Sequence, residues 1–342
     1  MNNKIAIVGD LHIGSQEQNA TFVKYQFDSL CYFLDIFKTN GIKRVIFLGD
    51  IFNNRKHITP ITMSLIKRLL KELKSRDLEP IFIAGNHDIF YKNTSELNNV
   101  ELLLDRYEIV TNSAKEYFRN IVAIPWINKD NYENIAESLD NSSADYLFAH
   151  AEFAGFDMIR GFKCQKSQIK SNLITKFKKI YSGHFHCISE HGNICYVGTP
   201  YELNWSDSNE IKRVIILDTL TGKETQHNNP YKYFIKYYIS HEDDTKHNVE
   251  YLNDKNVKLY LNTARTVEIE KFINRLTEKC YNVNIIDNNS LLKNMSIEIE
   301  ESKKNTLIDI WNEYVKESKM NDKDSIMLTK IFNETYKDCI KI

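Results

Sequence analysis

At 342 residues with 42% apolar side chains, the chain exceeds what one hydrophobic core usually serves, so one large domain with one or two small companions is expected. Its 45 lysines and arginines nearly balance 46 aspartates and glutamates; a formal net charge of -1 excludes capture of a polyanion by the whole-protein field and leaves that task to local patches. No run approaches the ~18 to 20 apolar residues of a membrane span, and MNNKIAIVGD enters a strand without a signal-peptide core, so a soluble protein of the cytoplasm, or of a host's cytoplasm if viral, is expected.

In chain order, KIAIVGD, RVIFLGD and PIFIAGNHD are β-branched runs that each end in glycine and then polar residues. Segments of helical period separate them, which predicts a layered α/β sheet. Residues 19–40 read as a helix closed by Gly41, and Thr59 before Pro60 reads as an N-cap with proline at the first helical position. ADYLFAH is a further strand ending at His150. In SGHFHCISE an extended backbone would send His184 and His186 to one side and Phe185 to the other. NICYVGTP, EIKRVIILD, a turn over 218–223 and a returning strand predict a partly antiparallel second sheet packed on the first.

Beyond about residue 228 Asn, Asp and Lys become dense, and VKLYLNT, VEIEKFINRLTEK and VNIID read as a strand–helix–strand module. Residues 302–305 are polar enough for a linker. After them Leu307, Ile310, Trp311 and Tyr314, then Leu328, Ile331, Phe332 and Cys339, recur at helical spacing. The expected domains are 1–228, 229–301 and 302–342.

Chemistry collects at the strand ends, where the loops of an open α/β sheet form its site. Those loops hold Asp10 and His12, Asp50, Asn86 with His87 and Asp88, His150, and His184 with His186. Five of the ten histidines fall there, and mixed oxygen and nitrogen donors suit Mn²⁺, Fe²⁺ or Zn²⁺. The six cysteines (Cys31, Cys164, Cys187, Cys195, Cys280, Cys339) form no C-x-x-C pair and read as reduced thiols.

The order D-x-H, GD, GNHD, H, GHxH resembles the calcineurin-like metallophosphoesterases. Within that superfamily GDLHIG, GDIFNNRKHIT, GNHDIFYKN, AHAEFAGF, SGHFHCISE and YVGTPYELNW resemble the SbcD nuclease subunits of double-strand-break repair, most of all their phage recombination endonuclease members. The resemblance implies a layered αββα sandwich over 1–228, a smaller α+β domain capping DNA over 229–301, and a C-terminal helical pair over 302–342 that grips an SMC-like ATPase. It implies two divalent metal ions, Mn²⁺ first and Mg²⁺, Fe²⁺ or Zn²⁺ as alternatives, sharing Asp50. Asp10, His12 and His186 would complete one shell, and Asn86, His150 and His184 the other. A water activated between two cations would attack phosphorus in line. His87 would protonate the leaving oxygen, with Asp88 holding its other ring nitrogen.

One position departs from the pattern. Asn53 stands where several cellular members carry a histidine, and His57 comes four residues too late to be assumed its replacement. Rival readings are a phosphomonoesterase of the Ser/Thr phosphatase kind, against which GNHD and GDIFNNRK speak, and a scaffold without catalysis, against which the seven filled ligand positions speak.

For substrate, no acidic residue occurs between Asp157 and Glu190, while Arg160, Lys163, Lys166, Lys170, Lys176, Lys178 and Lys179 do. With Arg55, Lys56 and Lys92 they read as a strip for double-stranded DNA. Residues 19–40 carry more apolar side chains than one stripe accommodates, which together with the family's habit suggests a homodimer through this helix. His57, His191, His227, His241 and His247 read as surface or loop residues, Trp126 as core, and Trp205 as a residue that stacks on a base or simply packs.

Overall fold

The computed structural model describes residues 3–117, 120–159, 162–288, 311, 314–315 and 324–332. Arg160, residues 302–305, Leu307, Ile310 and Cys339 lie outside the described residues. The five described cysteines are free thiols, and no described helix is long and apolar enough to cross a membrane.

Strand and helix alternate at first as the hydrophobic periods dictate: β1 (Lys4–Val8), α1 (Ala20–Thr39), β2 (Arg44–Phe47), α2 (Pro60–Ser75), β3 (Glu79–Ile83), α3 (Asn99–Leu104) and β4 (Glu108–Val110). The Asn19 side chain accepts the N–H of Phe22 at 3.0 Å and Thr59 accepts that of Thr62 at 3.2 Å, satisfying donors that a helix start leaves orphaned. Then come β5 (Lys115–Tyr117), β6 (Ile121–Ile124), α4 (Tyr132–Asn141), β7 (Tyr146–His150), β8 (Asp157–Ile159), β9 (Phe162–Lys163), α5 (Ser171–Ile174), β10 (Lys179–Gly183), β11 (Ser189–His191) and β12 (Ile194–Tyr196). β13 (Arg213–Asp218) and β14 (Glu224–Asn228) follow.

Two six-stranded sheets result, ordered β14-β13-β1-β2-β3-β4 and β11-β12-β10-β7-β6-β5. This corrects one expectation. Only NICYVGTP joins the second sheet; EIKRVIILD returns to the first, where β13 runs antiparallel to β1 and β14 to β13. The reason is local geometry: the tight turn between them makes β13 and β14 a hairpin, and Ile215 and Leu217 supply the inward apolar face that the open edge of β1 needs.

Side-chain alternation builds the layers. Ile5 and Ile7 of β1, Ile46 of β2 and Ile81 and Ile83 of β3 meet Ala123, Tyr146, Phe148 and Tyr181 between the sheets. Their neighbours Ala6, Val8, Val45, Phe47 and Phe82 face α1 and α2, while Leu147, Ala149 and Ile180 face the side of α4 and α5. The order is α–β–β–α, as expected.

The apolar surplus of α1 is covered within its own chain. Val23, Phe27, Tyr32 and Ile36 pack on the core, Arg68 of α2 lies 3.8 Å over the Phe27 ring, and Tyr32 meets Tyr231 edge-on at 5.8 Å. The helix is flanked on several sides, so its wide stripe is no argument for a second copy.

The chain divides into two compact units, one holding residues 1–236, 248–258 and 274–284, the other 237–247, 259–273 and the described residues from 285 onward. Beyond residue 228, β15 (Phe234–Ile239), β16 (Asn256–Leu261), α6 (Val267–Lys279) and β17 (Asn282–Asp287) realise the expected strand–helix–strand pattern with one strand added, in a sheet ordered β15-β16-β17. In the second unit Trp311 stacks on Phe332 at 4.4 Å, and the indole N–H donates to Thr329.

Candidate metal centre

Five strands end at one place. β1, β2 and β3 are parallel neighbours in one sheet, β7 and β10 in the other, so the loops after Val8, Phe47, Ile83, His150 and Gly183 converge. Three of the expected ligands hold the left-handed backbone that side chains other than glycine avoid: His12 at φ 45°, Asp50 at φ 45° and His184 at φ 88°. Such strain persists where surrounding structure enforces it. Glycine is required beside them, since a Cβ on Gly85 would fall inside 3.0 Å of the Asp50 carboxylate, and one on Gly183 inside 3.0 Å of that of Asp10. The expected extension at GHFH does not occur: β10 stops at Gly183 and the chain turns through His184, which still brings both imidazoles to the cluster.

All seven expected ligands meet. Donor atoms of Asp10, His12 and His186, of His12, Asp50 and His87, and of Asp50, His150 and His184 lie in three overlapping groups, each within 4.8 Å. Asp50 occupies the middle, with His12 Nε2 3.6 Å from Oδ2 and His150 Nε2 3.4 Å from Oδ1. Asn86 Oδ1 lies 3.0 Å from His150 Nε2 and 2.8 Å from His184 Nδ1, while His12 Nε2 and His186 Nε2 are 3.0 Å apart.

These contacts test whether a cation fits. His150 Nδ1 lies 2.7 Å from the Leu48 carbonyl, which accepts the ring N–H and so keeps the proton on Nδ1 and leaves Nε2 a bare lone pair facing Asn86 and Asp50. Lone pairs so close repel unless something positive sits among them. The Nδ1 of His12 is buried without a hydrogen-bond partner among the described residues. The set fits divalent cations held by imidazole, carboxylate and amide oxygen.

Burial and mutual charge set the protonation. Burial raises Asp10 well above the carboxylate range, with the Asp50 charge adding to it. Burial alone would raise Asp50 too, but the imidazoles of His150, His12 and His87 and the His87 N–H outweigh it and bring the carboxyl down to about 2. Burial lowers His12 to about 3 and His150 to about 4, so both are neutral and able to ligate at neutral pH.

His87 Nδ1 lies 2.7 Å from the carbonyl oxygen of Asn53, and its ring meets His12 edge-on at 4.9 Å. This corrects the expectation for Asp88, whose carboxylate accepts the N–H groups of Gly85, Ile51 and Phe52 at 2.8, 3.1 and 2.9 Å. Fully buried and tied to three donors, it staples the two metal loops rather than steering His87. Burial, then the Asp50 charge, pushes it up to about 8.

The basic strip is thinner than the sequence suggests. Lys176 donates to the carbonyls of Asp140 and Ser142, Lys178 pairs with Asp145, and Lys179 pairs with Glu190 and Glu224. Lys163, Lys166 and Lys170 stay exposed, as do Lys56 and Lys92, while Arg55 is half-buried. Trp205 rests on Phe234 at 5.1 Å with the Lys258 ammonium 4.3 Å over its ring, so it packs.

Sequence reasoning missed three residues here. Glu152 Oε1 lies 3.0 Å from His184 Nε2, and Trp126 packs against His184 at 4.9 Å and His150 at 5.8 Å. Lys212, buried in an ion pair with Asp207, also donates to the His186 carbonyl at 3.3 Å. A carboxylate two residues after His150 in AHAEFAGF was the one visible signal. A cavity of about 730 Å³ opens on the cluster, lined by Asp50, Asn86, His87, His184 and His186 on one side and residues 204–210 on the other.

The exonuclease subunit 1 of Enterobacteria phage T4 is 30% identical over 347 residues, covering 97% of this chain and 98% of that protein. The match to a solved archaeal phosphodiesterase covers 66% of this chain and 99% of that one, at 14% identity and a TM-score of 0.33. The model of the calcineurin-like phosphoesterase family matches residues 3–263, and with the strand-end donors arranged as they are, the chain belongs to that family.

Proposed function

We propose that the protein is a nuclease subunit that hydrolyses DNA phosphodiester bonds with two divalent cations, Mn²⁺ first, in a recombination and repair assembly. The observation that carries this is Asp50: one buried carboxylate whose two oxygens face different histidines, His12 and His150, as a bridge between two cations requires. The cations, when bound, polarise the phosphate oxygens and supply a nucleophilic water near neutral pH. The chain's residues do the rest. Asp10, His12 and His186 hold one position, Asn86, His150 and His184 the other, and the loops hold them rigidly because Asp88 ties them.

His87 delivers a proton to the leaving oxygen. With Nδ1–H held by the Asn53 carbonyl, Nε2 is the atom left for that transfer. Because a main-chain oxygen does the holding, the Asn53 side chain is not needed for it. Lys163, Lys166 and Lys170, with Arg55, Lys56 and Lys92, offer phosphate contacts to double-stranded DNA. Subunit status is supported by the T4 relative, an exonuclease subunit; an SMC-like ATPase partner and a homodimer rest on the motif resemblance alone. So do a cap over 229–301 and partner binding by 302–342, which mostly lies outside the described residues.

The test is Mn²⁺-dependent turnover of linear double-stranded DNA beside a phosphomonoester dye, with Asp50→Ala as control. Loss of DNA cleavage in the variant and no dye hydrolysis support the reading. Preferential dye hydrolysis would make the protein a phosphomonoesterase, and no hydrolysis of either would make it a scaffold.

A further inference from the structure

Three side chains govern the His184 ring. Asn86 Oδ1 lies 2.8 Å from Nδ1, Glu152 Oε1 lies 3.0 Å from Nε2, and the Trp126 indole packs on it with centroids 4.9 Å apart. A neutral imidazole has one ring proton for two acceptors. If the proton sits on Nδ1, it is donated to Asn86 and the nitrogen cannot bind a cation. If it sits on Nε2, it is donated to Glu152 and the Nδ1 lone pair faces the cluster. A carboxylate is the stronger acceptor, because its bond is charge-assisted.

We propose that Glu152 is a positioning residue that accepts the Nε2 proton of His184, fixing the tautomer whose Nδ1 lone pair, beside Asn86, is free to hold a divalent cation. The assignment rests on the metal reading above and names a residue that reading does not use. Glu152 is itself anchored. Its N–H donates to Gln168 Oε1 at 2.8 Å, its carbonyl accepts the Gln168 N–H at 2.9 Å, and the Gln168 amide donates to the Ile127 carbonyl at 3.1 Å. Gln168 sits between Lys166 and Lys170, so the basic loop and the orientation of His184 share one support. Partners of this kind fix ring orientation and raise ligand basicity.

The experiment uses the full chain and needs no turnover. Ring ¹⁵N shifts of His184 in metal-free protein report its tautomer, and Mn²⁺ titration followed by electron paramagnetic resonance reports affinity and stoichiometry. Wild type should show the Nε2–H form. Glu152→Ala should move the proton toward Nδ1 and weaken one Mn²⁺ site by about 10- to 100-fold. Glu152→Gln, which keeps the volume and can still accept a hydrogen bond, should fall between the two. An Nδ1–H tautomer in wild type, or unchanged tautomer and affinity in both variants, would overturn the proposal. Asp50→Asn separates the two readings: if it binds Mn²⁺ like wild type the metal reading fails, whereas the tautomer shift in metal-free protein judges Glu152 regardless.

Discussion

His87 Nδ1 and the carbonyl oxygen of Asn53 lie 2.7 Å apart, a contact that spans two metal loops and leaves the other ring nitrogen of His87 for chemistry. Replacing His87 by Gln should slow DNA hydrolysis by about 10²- to 10⁴-fold, the usual contribution of a positioned acid. Hydrolysis of bis-p-nitrophenyl phosphate, whose leaving group needs no proton, should change far less. Asn53→Ala should leave both near wild type. Equal losses on the two substrates would remove the acid role from His87.

If Asp50 bridges two cations as proposed, its loss is felt by both. Asp50→Asn should lower the metal content of purified protein from two ions toward one or none by elemental analysis. It should also erase the thermal stabilisation by Mn²⁺, which by mass action is about 2.7 kcal/mol per site at a hundred times the dissociation constant. Two retained ions would contradict the bridge.

Protonation gives a sign that calorimetry can read. Burial raises Asp10 well above the carboxylate range and Asp88 to about 8, so at pH 7 the Asp88 carboxyl of metal-free protein is mostly protonated. His12 at about 3 and His150 at about 4 hold none. Bound Mn²⁺ favours ionisation of the nearby Asp88 carboxyl, so protons leave on binding. Apparent binding heats should therefore differ between PIPES and Tris at pH 7 in the sense of proton release, and converge as pH rises above 8. Identical heats at pH 7 would show that Asp88 was already ionised.

Lys212 and Asp207 pair with side chains only 2% and 3% exposed. Breaking a buried pair from one side leaves a charge uncompensated and costs about 3–5 kcal/mol. Lys212→Ala should show that loss in urea unfolding and should also loosen the His186 loop, seen as weaker Mn²⁺ binding. A change below about 1 kcal/mol would mean that water reaches Asp207.

Lys166 and Lys170 are exposed, and no ion pair is seen for either among the described residues, whereas Lys178 is paired with Asp145. Changing both to Ala should reduce the slope of log affinity for duplex DNA against log salt by about 1.8, at ~0.9 per phosphate contact. Lys178→Ala should leave it nearly unchanged. If all variants share the wild-type slope, DNA runs elsewhere.

The seven donors were legible because each follows a strand whose hydrophobic run and terminal glycine or histidine are local features: Val8 before Asp10, Phe47 before Asp50, Ile83 before Asn86. Period and punctuation belong to a few consecutive residues, and the chain writes them directly. Helix starts at Asn19 and Thr59 were readable for the same reason.

What the sequence determined by itself was the set of elements, the strand-end residue types and the family they resemble. Tertiary structure decided who meets whom. It placed β13 against β1, gave Asp88 to three backbone N–H groups instead of His87, spent Lys176, Lys178 and Lys179 on neighbours, and brought Glu152 to His184. Most of those partnerships join residues well separated in the chain, 32 positions for Glu152 and His184 and, with Lys4 opposite Asp218, 214 for β1 and β13. Such pairings depend on sheet order and on the left-handed turns at His12, Asp50 and His184, which exist only once the two sheets have closed on each other and no short window of residues encodes.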